Sequence, residues 1–373
     1  MKLSYLANAR IPTEKAHGVQ IMKMCEAFSD AEVQVELIIP RRFNLIQDNP
    51  FSFYGVRKNF KIRRLPCLDL VKFGKLGFCI QSVTFAVSSF FYVIFKKSDI
   101  IYSRDELPLY FLSFLKNKKL FWETHIAKES FVVKKLFKKN ASVVSITKGL
   151  KNFYIEKYNP NLEKIFVAPD AVDLKDFDIK IEKDKLRRDL ELPKNKKIIL
   201  YSGHLYDWKG AQTLADSSKF FKNDELLVFL GGSDKDIENF KNKNKDKKNI
   251  LILGRVLHSQ VSFYLKSADV LVLPNSAKRE ISKFYTSPMK LFEYMASGVP
   301  IVASKLPSIE EILTDGVNAV LVEPDNDIKL FEGVKILLQD NIFKEKISKK
   351  AFSDIKKYTW KKRVENILRF VNI

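Results

Sequence analysis

Cysteine is scarce in this sequence: three residues among 373, Cys25, Cys67 and Cys79, none of them in a CxxC pair. That excludes a disulfide framework, disfavours a cysteine-held structural zinc and favours a reducing compartment. The four histidines, His17, His125, His204 and His258, lie too far apart in the chain to suggest a metal cluster by spacing. The sequence has no GxGxxG, no GxxxxGK[ST] and no HExxH, so nicotinamide dehydrogenases, P-loop kinases and zinc proteases lose their usual signatures. No internal repeat is visible. Met1–Ala9 lacks the long apolar run of a signal peptide, because Leu3 and Leu6 are separated by polar residues. Acidic residues are the minority: 44 Asp and Glu face 65 Lys and Arg, for a net charge of +21.

That excess points to an anionic partner, whether nucleic acid, a phosphorylated substrate or an acidic membrane surface. It is concentrated: residues 51–150 carry 19 basic and 6 acidic side chains, whereas residues 1–50 carry 6 of each. Inside this basic region, Leu76–Phe95 runs twenty residues without a formal charge, bracketed by Lys72 and Lys75 and by Lys96 and Lys97. The length suffices to span a bilayer, but Gln81, Ser82, Thr84, Ser88 and Ser89 dilute it. A buried or membrane-skimming helix is the expectation. Further lysine clusters stand at Lys116–Lys119 and Lys134–Lys139. No RNP aromatics, helix-turn-helix signature or zinc finger accompanies the charge, so nucleic acid is not expected as a partner.

With 46% hydrophobic residues the chain can bury a sizeable core, and its length suits two domains. Short runs of Ile, Leu and Val recur, among them Lys2–Ala7, Val33–Ile39, Asp99–Ser103, Lys119–Thr124, Lys197–Ser202, Leu226–Gly231, Asp269–Leu273 and Pro300–Ala303. Amphipathic stretches such as Val19–Ser29, Ser287–Ala296 and Asp327–Gln339 lie between them. Alternating strands and helices predict an α/β protein with parallel sheets covered on both faces. The charged segment Asp173–Asn195 separates two such sets, which gives two Rossmann-like domains expected to face one another across a cleft.

The segment richest in chemistry is Thr286–Ser304, TSPMKLFEYMASGVPIVAS. Ser287 suits an N-cap and Pro288 a first turn, Gly298 ends the helix, and Pro300 opens a buried strand. A helix start with open N–H groups attracts anions, and Lys290 adds a charge one turn inside. Glu293, further along, can accept hydrogen bonds from sugar hydroxyls. An ordinary capped helix with a surface Lys and Glu would read the same way on this segment alone.

Here the sequence resembles a known group, the retaining glycosyltransferases of family 4 with the GT-B fold. EYMASGVPIVAS, with Glu293, is similar to the second half of that family's E-x7-E signature. Tyr285 stands where the first Glu falls, as in a branch that carries S-P-x-K-x-x-E-Y-M-A. YSGHLYDWKG at Tyr201–Gly210 resembles the G-R-L-x-x-x-K-G loop, with His204 in place of the Arg. LGRVL at Leu253–Leu257 resembles the loop that reads the nucleotide base, which brings in Arg255 and Val256. VAPDAVD at Val167–Asp173 resembles the crossing between the two domains. The resemblance implies an acceptor domain at 1–172, a nucleotide-sugar domain at 173–357, and a final helix at 358–373 packing back on the first.

What the resemblance implies for the site is specific. Lys209 would neutralise the leaving diphosphate, with His204 as a second donor, and Glu293 would hold ribose hydroxyls. Gly18, Tyr285, Ser287, Pro288, Met289 and Lys290 would line the donor. His125 would stand near the reacting sugar, and Arg104 and Asp105 would either bind acceptor groups or pair with each other. The implied reaction moves a sugar from a nucleoside diphosphate to a hydroxyl with retention, without metal or other cofactor. The implied acceptor is a glycan or a lipid-linked intermediate of bacterial surface polysaccharide or lipopolysaccharide. The expected location is cytoplasmic, peripheral on the inner face of an anionic membrane. The rival readings are a nucleotide-sugar 2-epimerase of the same architecture and a basic nucleic-acid-binding protein.

Overall fold

The computed structural model describes residues 1–115 and 118–372, so Lys116 of the first lysine cluster lies outside the described residues. The chain folds as two units, Met1–Asp170 with the helix Trp360–Asn372, and Ala171–Thr359.

The first unit is built on a seven-stranded sheet: β1 (Lys2–Leu6), β2 (Gln34–Pro40), β3 (Lys61–Leu65), β4 (Ile100–Ser103), β5 (Lys119–Thr124), β6 (Ser142–Ser145) and β7 (Ile165–Val167). All neighbours pair in parallel, in the order β3-β2-β1-β4-β5-β6-β7. The second unit holds β8 (Lys197–Ser202), β9 (Glu225–Leu230), β10 (Ile250–Gly254), β11 (Val270–Leu273), β12 (Ile301–Ser304) and β13 (Val320–Val322). Its order is β10-β9-β8-β11-β12-β13, again all parallel. Each sheet is a Rossmann-like layer, so the chain carries two Rossmann-like domains, as expected.

The near-continuous apolar strands follow from burial on both faces. Along β8, Ile198 and Leu200 enter one hydrophobic cluster while Ile199 and Tyr201 enter another on the opposite face. β11 divides in the same way, with Leu271 and Leu273 on one side and Val270 and Val272 on the other. Truncating such a fully buried leucine to alanine costs about 2–5 kcal/mol. β3 is the strand that the sequence pattern does not announce. It is an edge strand, KIRRL, whose exposed Lys61, Arg63 and Arg64 interrupt any apolar run and discourage edge-to-edge pairing.

The helices of the first unit pack in two groups. Ala16–Asp30 packs with Trp360–Asn372, while Gly74–Ile94, Glu106–Leu112 and Phe131–Lys138 pack in succession. Each sheet reverses its strand order once, between β1 and β4 and between β8 and β11. Loops leaving the carboxyl ends of strands flanking such a reversal diverge and leave room for a ligand. Those loops carry most of the candidate residues.

Candidate active site

In the second unit the floor of the site is backbone. Gly203 donates its N–H to the carbonyl of Leu230 at 2.8 Å, and Gly231 donates to the carbonyl of Gly254 at 2.7 Å. These three glycines end β8, β9 and β10, and all have positive φ. A Cβ on Gly231 would lie 2.6 Å from the Gly203 carbonyl oxygen, so the strand ends close up only without side chains there. The loop after β8 then climbs as an aromatic ladder. His204 stacks on Tyr206 with ring centres 4.9 Å apart and nearly parallel planes, and Tyr206 stacks on Trp208 at 6.4 Å. Lys209 closes the ladder with Nζ 3.9 Å from the Trp208 ring centre. Gly210 follows with φ +72°, where a Cβ would fall 1.7 Å from the carbonyl oxygen of Pro274. The lysine loop is therefore pressed directly onto the segment leaving β11.

Two cations stand over this floor with little to neutralise them. Lys290 is 8% exposed, and its ammonium lies 3.9 Å from the Tyr201 ring centre without a hydrogen-bond partner among the described residues. Burial, and then the charge of Lys209, push it well below the usual lysine range. Burial alone pushes Lys209 down to about 8. Asn275, fully buried just after β11, has neither its side-chain oxygen nor its nitrogen bonded among the described residues. Glu293 is taken by His258, whose Nε2 lies 3.1 Å from its carboxylate. The Met289–Ser297 helix begins at Met289, with Pro288 at the cap and no side chain capping it. This corrects the expected start: Pro288 adopts extended backbone, with ψ 118°, and so stands outside the helix, and Ser287 is not the N-cap. Gly298 ends the helix as expected, at φ +73°. Tyr285 closes a π-helical turn over Ile281–Tyr285, ahead of that helix. Arg255 and Val256 follow β10, with Arg255 exposed.

The first unit gathers a different cluster. Glu123, at 0% exposure near the end of β5, accepts from Gln20 at 2.5 Å, His125 at 2.6 Å and Arg363 at 3.3 Å, and also from the Tyr102 hydroxyl. Burial alone would raise its pKa, yet the Arg363 charge and the His125 hydrogen bond hold the carboxyl well below its ordinary value. His125 is itself pushed down, by burial and by the Arg104 charge, against the upward pull of Glu123. Arg363, from the Trp360–Asn372 helix, also donates to the carbonyls of Pro169 at 2.8 Å and Ala168 at 3.1 Å. Arg104 turns to Gln20 at 2.5 Å, and Asp105 accepts the Asn8 N–H at 2.6 Å. Burial raises Asp105 to about 6, and burial with the Arg104 charge lowers His17 to about 4. Gly18 lies in the first turn of the Ala16–Asp30 helix beside the Tyr54 hydroxyl, which a Cβ would meet at 2.2 Å. Nearby, a groove of about 610 Å³ is lined by Arg10, Arg42, Arg64, Asn44 and Gln47 among others. Among the described residues, no three His, Cys, Asp or Glu side chains group as metal ligands.

Residues 182–354 match the family model described as glycosyl transferases group 1. The matched segment lies within the second unit. Among curated proteins, the chain is 29% identical over 229 residues to the uncharacterized glycosyltransferase MJ1607 of Methanocaldococcus jannaschii, covering 59% of this chain and 57% of that protein. It is 23% identical over 230 residues to the D-inositol 3-phosphate glycosyltransferase of Xylanimonas cellulosilytica, covering 59% and 54%. These matches span little more than half of the relatives' own length. Among solved structures, Anabaena Alr3699/HepE in complex with UDP and glucose superposes with a TM-score of 0.77 at 15% identity, over 100% of this chain and 99% of that one. That likeness concerns the fold.

Within the matched segment, His204 and Lys209 follow the end of β8, while Lys290 lies in the first turn and Glu293 midway along the Met289–Ser297 helix. Sequence reasoning missed His258 as the partner of Glu293, because they lie 35 residues apart on different helices. It missed Asn275 as well; a polar residue directly after a buried strand that ends in Pro274 was the available signal. In the first unit it missed Glu123 as the hub, with Gln20 and Arg363 as its partners.

Proposed function

We propose that this protein transfers a sugar from a nucleoside diphosphate donor to a hydroxyl of a glycan or lipid-linked acceptor, with retention of anomeric configuration and without a divalent metal. The observation that carries this reading is the pair of under-neutralised cations, Lys209 and Lys290, over a floor of three glycines. A diphosphate supplies the negative charge that these lysines lack, and the missing Cβ atoms let its oxygens approach the backbone. The matched family model and the names of the curated relatives favour the same reaction class. The retaining, family 4 assignment rests on the S-P-x-K-x-x-E-Y-M-A branch pattern around Glu293.

In the step itself, the bond between the anomeric carbon and the donor phosphate oxygen breaks as the acceptor oxygen bonds to the same face. The acceptor proton passes to the departing phosphate oxygen. Negative charge grows on the diphosphate, where Lys209 and Lys290 stabilise it and lower the barrier. Glu293, oriented by His258, holds ribose hydroxyls. The acceptor belongs to the first unit, where Arg104, Asp105 and the arginine-lined groove offer polar contacts at the carboxyl ends of the strands. Synthesis of surface polysaccharide or lipopolysaccharide is the setting that suits such an acceptor.

The test is transfer and donor hydrolysis with a panel of UDP-, GDP- and CMP-linked sugars, with and without a chelator. Activity is expected to survive chelation. Lys209→Ala is expected to lose roughly a hundredfold in rate, in line with the removal of one charge-stabilising group, and Glu293→Ala to weaken nucleotide binding. Full activity in Lys209→Ala would sink the assignment. Release of an epimerised free sugar would favour the 2-epimerase instead.

A further inference from the structure

The Gly74–Ile94 helix is built inside out. Its inward stripe is small or polar for much of its length: Gly77, Gln81, Ser89 and Val93, with Phe85 and Ala86 as the larger apolar contacts. Its outward stripe, at helical spacing, is Leu76, Val83, Val87, Phe91 and Ile94, with Leu76 73% and Phe91 61% exposed. A helix on the surface of a water-soluble protein shows the reverse arrangement, because exposed apolar area is costly in water. By length and composition Val71–Ile94 could also cross a bilayer, yet only 33% of its most apolar window is buried in the protein.

Hydrogen bonds on the inward side argue against crossing. Gln81 Nε2 donates to Asn8 Oδ1 at 2.9 Å, and Ser88 Oγ donates to the carbonyl of Pro66 at 2.7 Å. Thr84 Oγ1 accepts from the Leu68 N–H at 3.1 Å, and the Tyr92 hydroxyl donates to Glu36 at 2.8 Å. These bonds tie the helix along its length to the loops and strands of the first sheet, and a spanning helix would forfeit all of them. The apolar stripe is therefore presented sideways, as a ridge.

Exposed aromatics on the elements that pack in succession beyond this helix also carry lysines. Phe114 and Phe131 are 58% and 66% exposed, and the lysines lie over these rings. Lys139 Nζ is 3.7 Å from the Phe114 ring centre, Lys135 Nζ 5.0 Å from that of Phe131, and Lys72 Nζ 5.0 Å from that of Phe73. Ammonium groups resting on exposed aromatic rings put positive charge directly beside apolar surface, the combination that suits an apolar layer beneath anionic head groups. Carboxylates on and beside these elements are already engaged, Glu36 by Tyr92 and Lys96, Glu106 by Lys128 and Glu129 by Lys157.

We propose that the outward stripe of the Gly74–Ile94 helix, with Phe114, Phe131 and their lysine edge, inserts in the plane of an anionic lipid bilayer without spanning it. The charge of residues 51–150 selects the surface, and the stripe supplies the insertion. This stands apart from the sugar-transfer reading, since it needs neither donor nor acceptor.

The experiment is sedimentation of the full chain with phosphatidylcholine vesicles, with and without phosphatidylglycerol. Binding to the anionic vesicles is expected to be about tenfold tighter or more and to weaken with salt. Leu76→Ser/Val83→Ser/Phe91→Ser, all at exposed positions, is expected to lose at least about tenfold in partitioning with an unchanged melting temperature. Lys72→Glu/Lys75→Glu/Lys139→Glu is expected to remove the salt-dependent part. A fluorophore on the exposed Cys79, in a Cys67→Ser background, is expected to shift to shorter wavelength on anionic vesicles. Undiminished binding by the serine variant, no binding to either vesicle, or retention through alkaline carbonate extraction would overturn the proposal. So would a dimer in solution that the serine variant dissolves, which would make the ridge an interface between copies. Vesicle binding by a Lys209→Ala protein that transfers no sugar keeps the two readings separable.

Discussion

In the second unit Lys290 is buried without a hydrogen-bond partner among the described residues, and Lys209 adds a second charge that presses on it. In the first unit, buried Glu123 is met by Arg363, His125, Gln20 and Tyr102. Both clusters sit at the carboxyl ends of parallel strands, but one is closed on itself and the other is not. A buried charge left uncompensated costs free energy, so a site that keeps one is a site whose counter-charge arrives with the ligand. A cluster whose charges cancel internally holds its own unit together and orients neighbours. This contrast supports the donor-binding role proposed for Lys209 and Lys290. His125, held by Glu123, has its ring fixed whatever else it touches.

The largest effect expected from this contrast is on stability. Arg363→Met leaves Glu123 buried without its arginine and frees two carbonyls, which should cost the first unit about 3–5 kcal/mol. Urea unfolding checks this, and Glu123→Gln in the same chain should restore part of the loss. A loss below about 1 kcal/mol, the level of an exposed ion pair, would break the comparison. Lys290→Met carries the opposite signature: nucleoside diphosphate binding weaker by about tenfold or more, with a melting temperature unchanged or higher. Calorimetric titration with UDP and a thermal melt on one preparation read both. A destabilised Lys290→Met would mean that the ammonium is structural.

The smallest effect is in protons. Free Lys209 titrates near 8 because of burial, and Lys290 lies well below the usual range. A bound diphosphate favours the charged forms and raises both values, so binding takes up protons wherever the free lysines are partly neutral. Affinity should accordingly fall as pH rises above 8, by at most about tenfold per unit for each lysine. Titrations at pH 8 in two buffers of different ionisation enthalpy should show net uptake, and zero uptake would place these lysines away from the diphosphate.

How much of this was legible beforehand depends on the kind of feature. The strands at Lys119–Thr124 and Lys197–Ser202 read directly from apolar runs, because strands covered on both faces have little choice of residue. The end of the helix at Gly298 was equally plain, since the left-handed cap favours glycine. β3 stayed hidden because an exposed edge strand has no apolar run to show. Lys209 and Lys290 could be named from their motifs, but not that Lys290 would be buried over Tyr201 without a hydrogen-bond partner among the described residues. The pairs Glu123–Arg363 and Gln20–Glu123 join residues 240 and 103 positions apart, and no local pattern marks them. The Leu76–Phe95 stretch shows the same divide. Its lack of charge was plain, whereas its inverted facing became visible only once the sheet had fixed which side was in.

The sequence by itself determined the alternation of strand and helix, the two-domain architecture, the region that holds the positive charge and the residue types at the candidate donor site. Those are local matters of propensity, periodicity and composition, carried by neighbours along the chain. The tertiary structure decided which charges are answered and which are left over. The topology brings Arg363 to Glu123, and among the described residues it brings no carboxylate into hydrogen bond with Lys290. Electrostatics acts through space, so the sequence could name the charged groups but only the fold could balance them.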